Sequence, residues 1–363
     1  MNSLKKILTI LGTRPEIIRL SLILQKLDKL HDHILVHTGQ NTNPRLNDIF
    51  FEELRLRKPD YYLGANKRSF GEQISIMFKE IEKILKDVKP DIVLVLGDTN
   101  SALCAIIAER MMIPVYHMEA GNRCNDLKVP EEKNRKIIDS ISSLAIPYTP
   151  YSRENLLNEG IPKERIFTSG NPIYEVLMNY MENIEKSKIL SDLKLTSKEY
   201  FLVTTHRAEN VDNIDRLKEI FKSLEMIAET YSLPVICSIH PRTKEKLSTF
   251  DIKIQNSSIK LLEPFGFFDF VKLEKNARLV LTDSGTVQEE CCIFNVPTVT
   301  IRDTTERPET VWCGSNIVSG INKNNILNCT QIMLNSDNKW EYPEGYLDEN
   351  VSNKIIKFLN GEY

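Results

Sequence analysis

The stretch RLVLTDSGTVQEECCIFNVPTVTIRDTTERPE, residues 278–309, decides how the rest of the chain is read. Leu279, Val280 and Leu281 form an all-apolar run of the kind buried on both faces of a parallel sheet. Asp283, Ser284 and Gly285 break the run, and 287–294 reads as a helix. A second short strand at 297–301 ends in the polar loop RDTTERPE. A turn rich in hydroxyls and glycine, between a strand end and a helix start, suits an anion. Amides of the first helical turn lack intrahelical partners, and the helix dipole adds partial positive charge. The turn therefore reads as a holder for a nucleotide diphosphate.

Outward from this stretch the same strand–helix unit recurs. Strand candidates at 7–11, 33–36, 91–96 and 114–118 alternate with helix candidates at 15–30, 44–54, 71–88 and 101–111. A helix at 130–141 and short strands at 144–146 and 165–168 follow. The alternation starts afresh after Asn171-Pro172, with a helix at 173–184, a strand at 201–204, a helix at 217–230 and a strand at 234–239. Continuous apolar strands separated by helices imply a parallel sheet covered on both faces. The expected fold class is α/β, with two Rossmann-like doubly wound parallel-sheet domains facing a cleft. The expected domains are 1–170 and 171–344, with the C-terminal segment 345–363 packing back on the first.

Composition agrees with that scale. At 363 residues the chain exceeds one typical core. Its 41% hydrophobic and 27% charged residues are those of a globular protein, and a net charge of −3 gives no basic excess for nucleic acid. Seven cysteines without a Cys-x-x-Cys pair fit free thiols in a reducing cytosol, and six histidines show no metal-like spacing. The apolar run near the N-terminus is too short for a signal peptide, and no stretch reaches transmembrane length. These features predict a cytoplasmic protein with no membrane partner.

Polar residues cluster where strands end: Arg14, His37, Asp98, Glu119, His206, His240 and Asp283-Ser284. Ligands bind at that edge of open parallel sheets. Arg14, His206, the Ser284-Gly285-Thr286 turn and Arg307 suit phosphate, and Glu290 suits ribose hydroxyls. Asp98, Glu119 and Glu131 form a carboxylate set suited to acid–base work on the group attached to that phosphate. Plainer readings stand beside these. Asp98 is also placed to cap a helix, and Glu131 and Arg135 have the spacing of a surface pair. Glu132 reads as a solvated helix-start charge, Arg302 as an internal ion-pair partner, and His240 as a loop-fixing residue. His206 has a core alternative, and Trp312 and the 265–270 run read as core.

The motifs GTRPEII (12–18), GDTNS (97–101), HMEAGNR (117–123), PEEKNR (130–135), THRAEN (205–210), LTDSGTVQEE (281–290) and RDTTERPE (302–309) resemble the non-hydrolysing UDP-N-acetylglucosamine 2-epimerase family in order and spacing. The resemblance implies a glycosyltransferase-B-like fold, a homodimer, a UDP-sugar substrate, and no metal or nicotinamide cofactor. It implies removal of the C-2 proton, departure of UDP to leave 2-acetamidoglucal, and re-addition after reprotonation on the opposite face. By motif, Asp98, Glu119, Glu131 and His206 match catalytic positions. Arg14, Arg19, Arg135, Arg207, Ser284, Gly285, Thr286, Glu290 and Arg307 match UDP or substrate contacts, and Phe270 matches a position whose backbone meets uracil.

Several positions depart from the family pattern. Arg19 stands where many members have lysine, and Thr286 where many have a second glycine. The loop after Glu119 is two residues shorter than in common bacterial members. Gln40-Asn41-Thr42 replaces a Gln-His-Arg run of members activated by an extra UDP-sugar, which argues against that activation here. The expected reaction is interconversion of UDP-N-acetylglucosamine and UDP-N-acetylmannosamine. The alternative is the same epimerisation on UDP-2-acetamido-2,6-dideoxy-L-talose, giving UDP-N-acetyl-L-fucosamine or a quinovosamine analogue. A glycosyltransferase of the same fold is the alternative of another class.

Overall fold

The computed structural model describes residues 4–39, 44–66 and 69–361. The Gln40-Asn41-Thr42 departure lies outside them. The chain forms two units, one running to Asn179 and resuming at Glu344, the other Tyr180–Pro343.

In the first unit six strands form one sheet: β1 (Lys6–Leu11), β2 (Asp32–His37), β3 (Tyr61–Tyr62), β4 (Ile92–Leu96), β5 (Val115–Met118) and β6 (Leu144–Ile146). Their spatial order is β3-β2-β1-β4-β5-β6, and every pairing is parallel. The second unit has β7 (Phe201–Thr205), β8 (Val235–Ile239), β9 (Ile259–Leu262), β10 (Leu279–Thr282), β11 (Thr298–Thr300) and β12 (Asn316–Val318). Their order, β12-β11-β10-β7-β8-β9, is the same topology with strand numbers advanced by six, again all parallel. One architecture thus occurs twice without a sequence repeat.

Parallel strands with helices on both faces must be apolar on both sides. In the second unit Phe201 and Val203 join one core with Leu217, Ile220, Phe221 and Leu224 of the helix Ile214–Tyr231. Leu202, between them, points the other way and packs with Val280, Leu273, Val287 and Cys291. In the first unit Leu8, Ile10, Val93 and Val95 pack against Met77, Ile81 and Leu85 of the helix Phe70–Val88.

The order places one switch point in each sheet. β1 lies against β4, and β7 against β10. From these neighbours the chain departs in opposite directions, opening a crevice at their carboxyl ends. Gly12-Thr13-Arg14 and Gly97-Asp98 leave the first switch point, and His206-Arg207 and Asp283-Ser284-Gly285 the second.

Some expectations need correction. β3, β9 and β12 are short and partly exposed, so they lack the continuous apolar run that marks the central strands. The expected strand at 165–168 is a 3-10 turn, Lys163–Arg165, followed by one isolated bridge between Ala145 and Ile166. The helix expected at 173–184 is two, Pro172–Asn179 and Met181–Lys186, broken at Tyr180 where the units divide. Trp312 is 64% exposed rather than core.

The last helix, Val351–Asn360, packs on the helices Arg14–Leu30 and Pro172–Asn179 of the first unit. Phe358 stacks on Phe167 at 4.2 Å between ring centroids, and Ser352 N donates to Glu175 Oε2 at 2.8 Å. Ile355 is buried in this contact. Ile355→Ala is expected to lower the stability of the first unit by about 3 kcal/mol, through lost burial and the cavity left behind. Hydrogen exchange of β1 and β4 amides in urea reads that unit alone. Unchanged protection would show that the terminal helix does not support it.

Candidate functional site

Glu16 fastens the first switch point. Its Oε2 accepts from Gly12 N at 2.6 Å and Thr13 N at 2.7 Å, and Oε1 accepts from Thr99 Oγ1 at 2.6 Å. One carboxylate thereby holds the turn after β1 to the turn after β4. Thr13 and Glu16 are the two members of a capping box on the helix Arg14–Leu30. A Cβ on Gly12 would lie 2.0 Å from Thr38 Oγ1, so only glycine fits there. Arg14, at the helix start, sits 5.9 Å above the Phe50 ring. Glu16 is fully buried, which pushes its pKa up to about 7 although its three donors pull the other way.

Asp98 follows β4 through Gly97, which has φ +74°. Arg135 grips it twice, Nε at 2.7 Å and Nη2 at 2.6 Å from Oδ2. Asn134 Nδ2 donates to the Asp98 carbonyl at 2.9 Å. Arg135 is 1% exposed, and its Nη1 donates to Glu132 Oε2 at 2.7 Å. Glu132 is 0% exposed and accepts in addition from Cys124 N at 3.0 Å and Asn125 N at 3.1 Å. Two expectations fail here. Glu132 is not a solvated charge, and Arg135 is not on the surface. Position 131 is half-buried while 132, 134 and 135 point into the unit, so the i,i+3 pair Glu132–Arg135 is the inward one.

Glu119 follows β5 with φ +66°, a left-handed conformation that costs a non-glycine residue about 1 kcal/mol. Its side chain is fixed by Arg19 Nη1, which donates at 2.5 Å, and by Asn122 Nδ2 at 3.3 Å. Arg19 is buried and lies 5.7 Å above the Tyr148 ring, so it serves Glu119. Beneath, buried His117 faces the Asp139 carboxylate and the Gly97 carbonyl, each at 2.8 Å. Asp139 also pairs with Arg123 at 2.8 Å and accepts from Gly121 N at 3.1 Å. The ends of β4 and β5 are thus tied together under Asp98 and Glu119. His37 lies instead among aromatic side chains, beside Phe51 and Tyr62, and burial lowers its pKa to about 4.

In the second unit Asp283 is the hub. It is fully buried and accepts from Thr205 Oγ1 (2.9 Å), His206 N (3.0 Å), Arg207 N (3.1 Å) and Asn210 Nδ2 (3.1 Å). The strand end bearing His206 is thereby fastened to the start of the Ser284 turn. The His206 side chain is 42% exposed, with Nδ1 3.4 Å from Asp283 Oδ1, which settles against a core role. Gly285 begins the helix Gly285–Ile293, and Ser284 Oγ and Thr286 Oγ1 are 3.0 Å apart. A Cβ on Gly285 would meet Glu306 Oε1 at 2.5 Å, so the glycine admits the polar loop against the helix start. Gln288 closes that loop: its Oε1 accepts from Thr305 Oγ1 at 2.6 Å while its Nε2 donates to Ser284 O at 3.1 Å.

Three arginines border the turn. Arg207 Nη2 donates to Glu306 Oε1 at 3.0 Å, and Arg302 Nη1 to Glu306 Oε2 at 2.7 Å. Arg307 Nε donates to Glu289 Oε1 at 2.6 Å. Glu290, one turn beyond Thr286, is 5% exposed. Fully buried Glu274 lies beside it, its pKa raised well above the usual range by desolvation and by the neighbouring carboxylate. Phe270 lies in the helix Phe267–Asn276, with its N–H committed to Gly266 O at 3.0 Å. His240 caps the helix Pro241–Thr249, its Nδ1 accepting from Arg242 N at 3.3 Å.

Sequence reasoning missed Glu16, Glu132, Glu289 and Glu306. The Thr13–Glu16 spacing was a usable capping-box signal. The others needed burial to be seen. Among the described residues no group of three or more His, Cys, Asp or Glu could hold a metal ion, and no helix is long and apolar enough to cross a membrane.

The family model described as UDP-N-acetylglucosamine 2-epimerase matches residues 25–360. A protein of Methanocaldococcus jannaschii named UDP-N-acetylglucosamine 2-epimerase is 45% identical over 99% of this chain and 100% of its own length. A Pseudomonas aeruginosa protein named UDP-2,3-diacetamido-2,3-dideoxy-D-glucuronate 2-epimerase is 35% identical over 91% of this chain and 92% of its own. The crystal structure of the M. jannaschii enzyme in complex with UDP-GlcNAc and UDP superposes with a TM-score of 0.93 over 98% of this chain and 99% of that one, at 45% identity.

Glu16 gives a pH dependence whose sign can be worked out. Its carboxyl holds a proton in the folded chain up to about pH 7, whereas its ordinary value is 4.5. Between those values the folded state binds more protons than the unfolded one, so stability falls as pH rises. The loss is complete above pH 7 and reaches about 3 kcal/mol. Glu16→Gln is expected to flatten the urea-stability profile between pH 5 and 8. Parallel profiles for the variant and the wild type would assign the slope to another group.

Proposed function

The chain belongs to the UDP-N-acetylglucosamine 2-epimerase family, and from that premise we propose that it interconverts UDP-N-acetylglucosamine and UDP-N-acetylmannosamine through the residues described above. The observation that carries the assignment of residues is the paired fastening of Asp98 and Glu119. Each stands at a strand end and each is held by a buried guanidinium. With Glu131 at the start of the next helix, they supply the proton-transfer groups. One carboxylate takes the C-2 proton as the C-1 to oxygen bond breaks and its electron pair leaves with UDP. A second returns a proton to the opposite face of the 2-acetamidoglucal, and UDP re-adds at C-1.

The C-2 proton is weakly acidic, so stabilisation of the departing diphosphate must carry much of the barrier. The second switch point supports that task. The helix-start amides at Gly285 and Thr286 and the Ser284 hydroxyl, with His206, Arg207 and Arg307 beside them, offer donors and positive charge to a diphosphate, the Ser284 amide itself being donated to Thr282 Oγ1 at 2.9 Å. Glu290 offers an acceptor for ribose hydroxyls, and Arg14 is a cation at the helix start of the first unit's switch point. Relatives at 44–45% identity named for UDP-N-acetylglucosamine favour that sugar over the 6-deoxy alternative. The intact carboxylate set favours epimerisation over glycosyl transfer. We further infer a cytoplasmic homodimer, for which light scattering would give twice the 41.8 kDa chain mass.

Incubation with UDP-N-acetylglucosamine in heavy water should yield UDP-N-acetylmannosamine with deuterium at C-2 in the proton NMR spectrum. Exchange only into a 6-deoxy UDP-sugar would move the substrate, and free UDP rising in step with product would make the enzyme a hydrolase. Asp98→Asn and Glu119→Gln should each abolish exchange; activity near wild type would leave the elimination mechanism untenable. Arg307→Ala should weaken UDP binding by about 3 kcal/mol, roughly a hundredfold. An unchanged affinity by calorimetry would remove Arg307 from the site.

A further inference from the structure

Glu132 has no part in the chemistry proposed above, yet it is linked to all three proton-transfer groups: by its carboxylate to the segment after Glu119, by its backbone to Glu131, and through Arg135 to Asp98. Its Oε2 and Oε1 hold Cys124 N and Asn125 N, on the segment that leaves Glu119. Its backbone follows Glu131 directly in the first turn of the helix Pro130–Ile141. Through Arg135 Nη1 at 2.7 Å it holds the guanidinium that grips Asp98 at 2.6 Å. At 0% exposure it touches no substrate, and every contact it makes is to a donor.

We propose that Glu132 is the positioning residue of the epimerisation site, setting Asp98, Glu119 and Glu131 in register for proton transfer at C-2. The inference rests on the reading of those three carboxylates as the acid–base groups. Its physical basis is donor–acceptor accounting. The site presents two backbone N–H groups and a guanidinium to the same side chain, so it needs two acceptor oxygens. An amide of the same shape offers one oxygen and one NH2. Whichever way it is turned, a donor faces a donor, and either the 124–125 segment or Arg135 must shift. A displacement near 1 Å at a reacting group costs on the order of a hundredfold in rate. The turn proposed above to bind UDP belongs to the other unit.

The test is Glu132→Gln, assayed by C-2 deuterium exchange and by steady-state kinetics beside a UDP titration and a melting curve. The expected result is a fall in kcat of roughly a hundredfold, with KM and UDP affinity within about threefold of wild type. Glu132→Asp keeps both acceptor oxygens on a shorter stem and should recover about tenfold of the lost kcat while staying below wild type. It also carries the test should the glutamine variant fail to fold, with kcat lowered and KM unchanged as its expected result. Wild-type kcat in either folded variant would overturn the proposal. So would equal impairment of both, or a loss of kcat accompanied by a parallel loss of UDP affinity, which marks damage to the whole fold. Absence of C-2 exchange in the wild-type enzyme would instead refute the reading of the reaction itself, so the two failures are distinguishable.

Discussion

The Arg135 guanidinium, buried between Asp98 and Glu132, is the interaction on which the first unit's site depends. Burying three charged groups together is expensive, and their mutual attraction offsets the desolvation only when the geometry is good and every remaining donor and acceptor is used. Glu132 meets that condition by also accepting two backbone N–H groups. Such an arrangement adds little net stability compared with apolar packing of the same volume. Its value is geometric: removing any member strands a buried charge, so the members can sit in one arrangement only. A carboxylate that must reach a particular carbon of a sugar needs that restriction more than it needs free energy.

Buried arginine–carboxylate pairing recurs in both units. Arg19 is matched to Glu119, Arg123 to Asp139, Arg302 to Glu306 and Arg307 to Glu289. In both units these pairs gather around the switch point, where the diverging chain leaves room for a ligand. The division of labour differs. Around β4 and β5 the arginines are buried, and the acids they hold are the groups we propose for proton transfer. Around β7 and β10 buried Asp283 organises the backbone, leaving the His206 side chain and the helix-start amides for an anion. One topology, repeated without a repeated sequence, thus presents a set of acids in one unit and, in the other, the turn proposed to hold an anion.

Much of this was legible before the structure. Continuous apolar strands such as ILTIL and IVLVL fix a parallel sheet, and residues immediately after them must lie at its carboxyl edge. Asp98, Glu119, His206 and Ser284 were found that way. The edge strands were not, because Tyr61, Tyr62 and the 259–262 run are partly exposed and lack the apolar signal. Glu132 was misread for a different reason. In PEEKNR both Glu131–Arg135 and Glu132–Arg135 have helical spacing, and pattern alone does not say which face points inward. Trp312 shows the converse error: a large aromatic residue is core by expectation, but here it ends a five-residue surface helix.

The segment between Glu119 and Glu131 is fastened at both ends. Arg123 is anchored to Asp139 and Glu159, and Cys124 and Asn125 to Glu132. From the other side Val129 N closes a turn onto Asp126 O, and Lys128 N donates to Asp126 Oδ1. The tip, 125–128, is the part open to solvent, with Leu127 60% exposed. A change of length can be absorbed at that tip without moving either anchor. Loop tips tolerate such changes because their backbone groups are not buried. The acids are therefore insulated from the part of the loop free to vary.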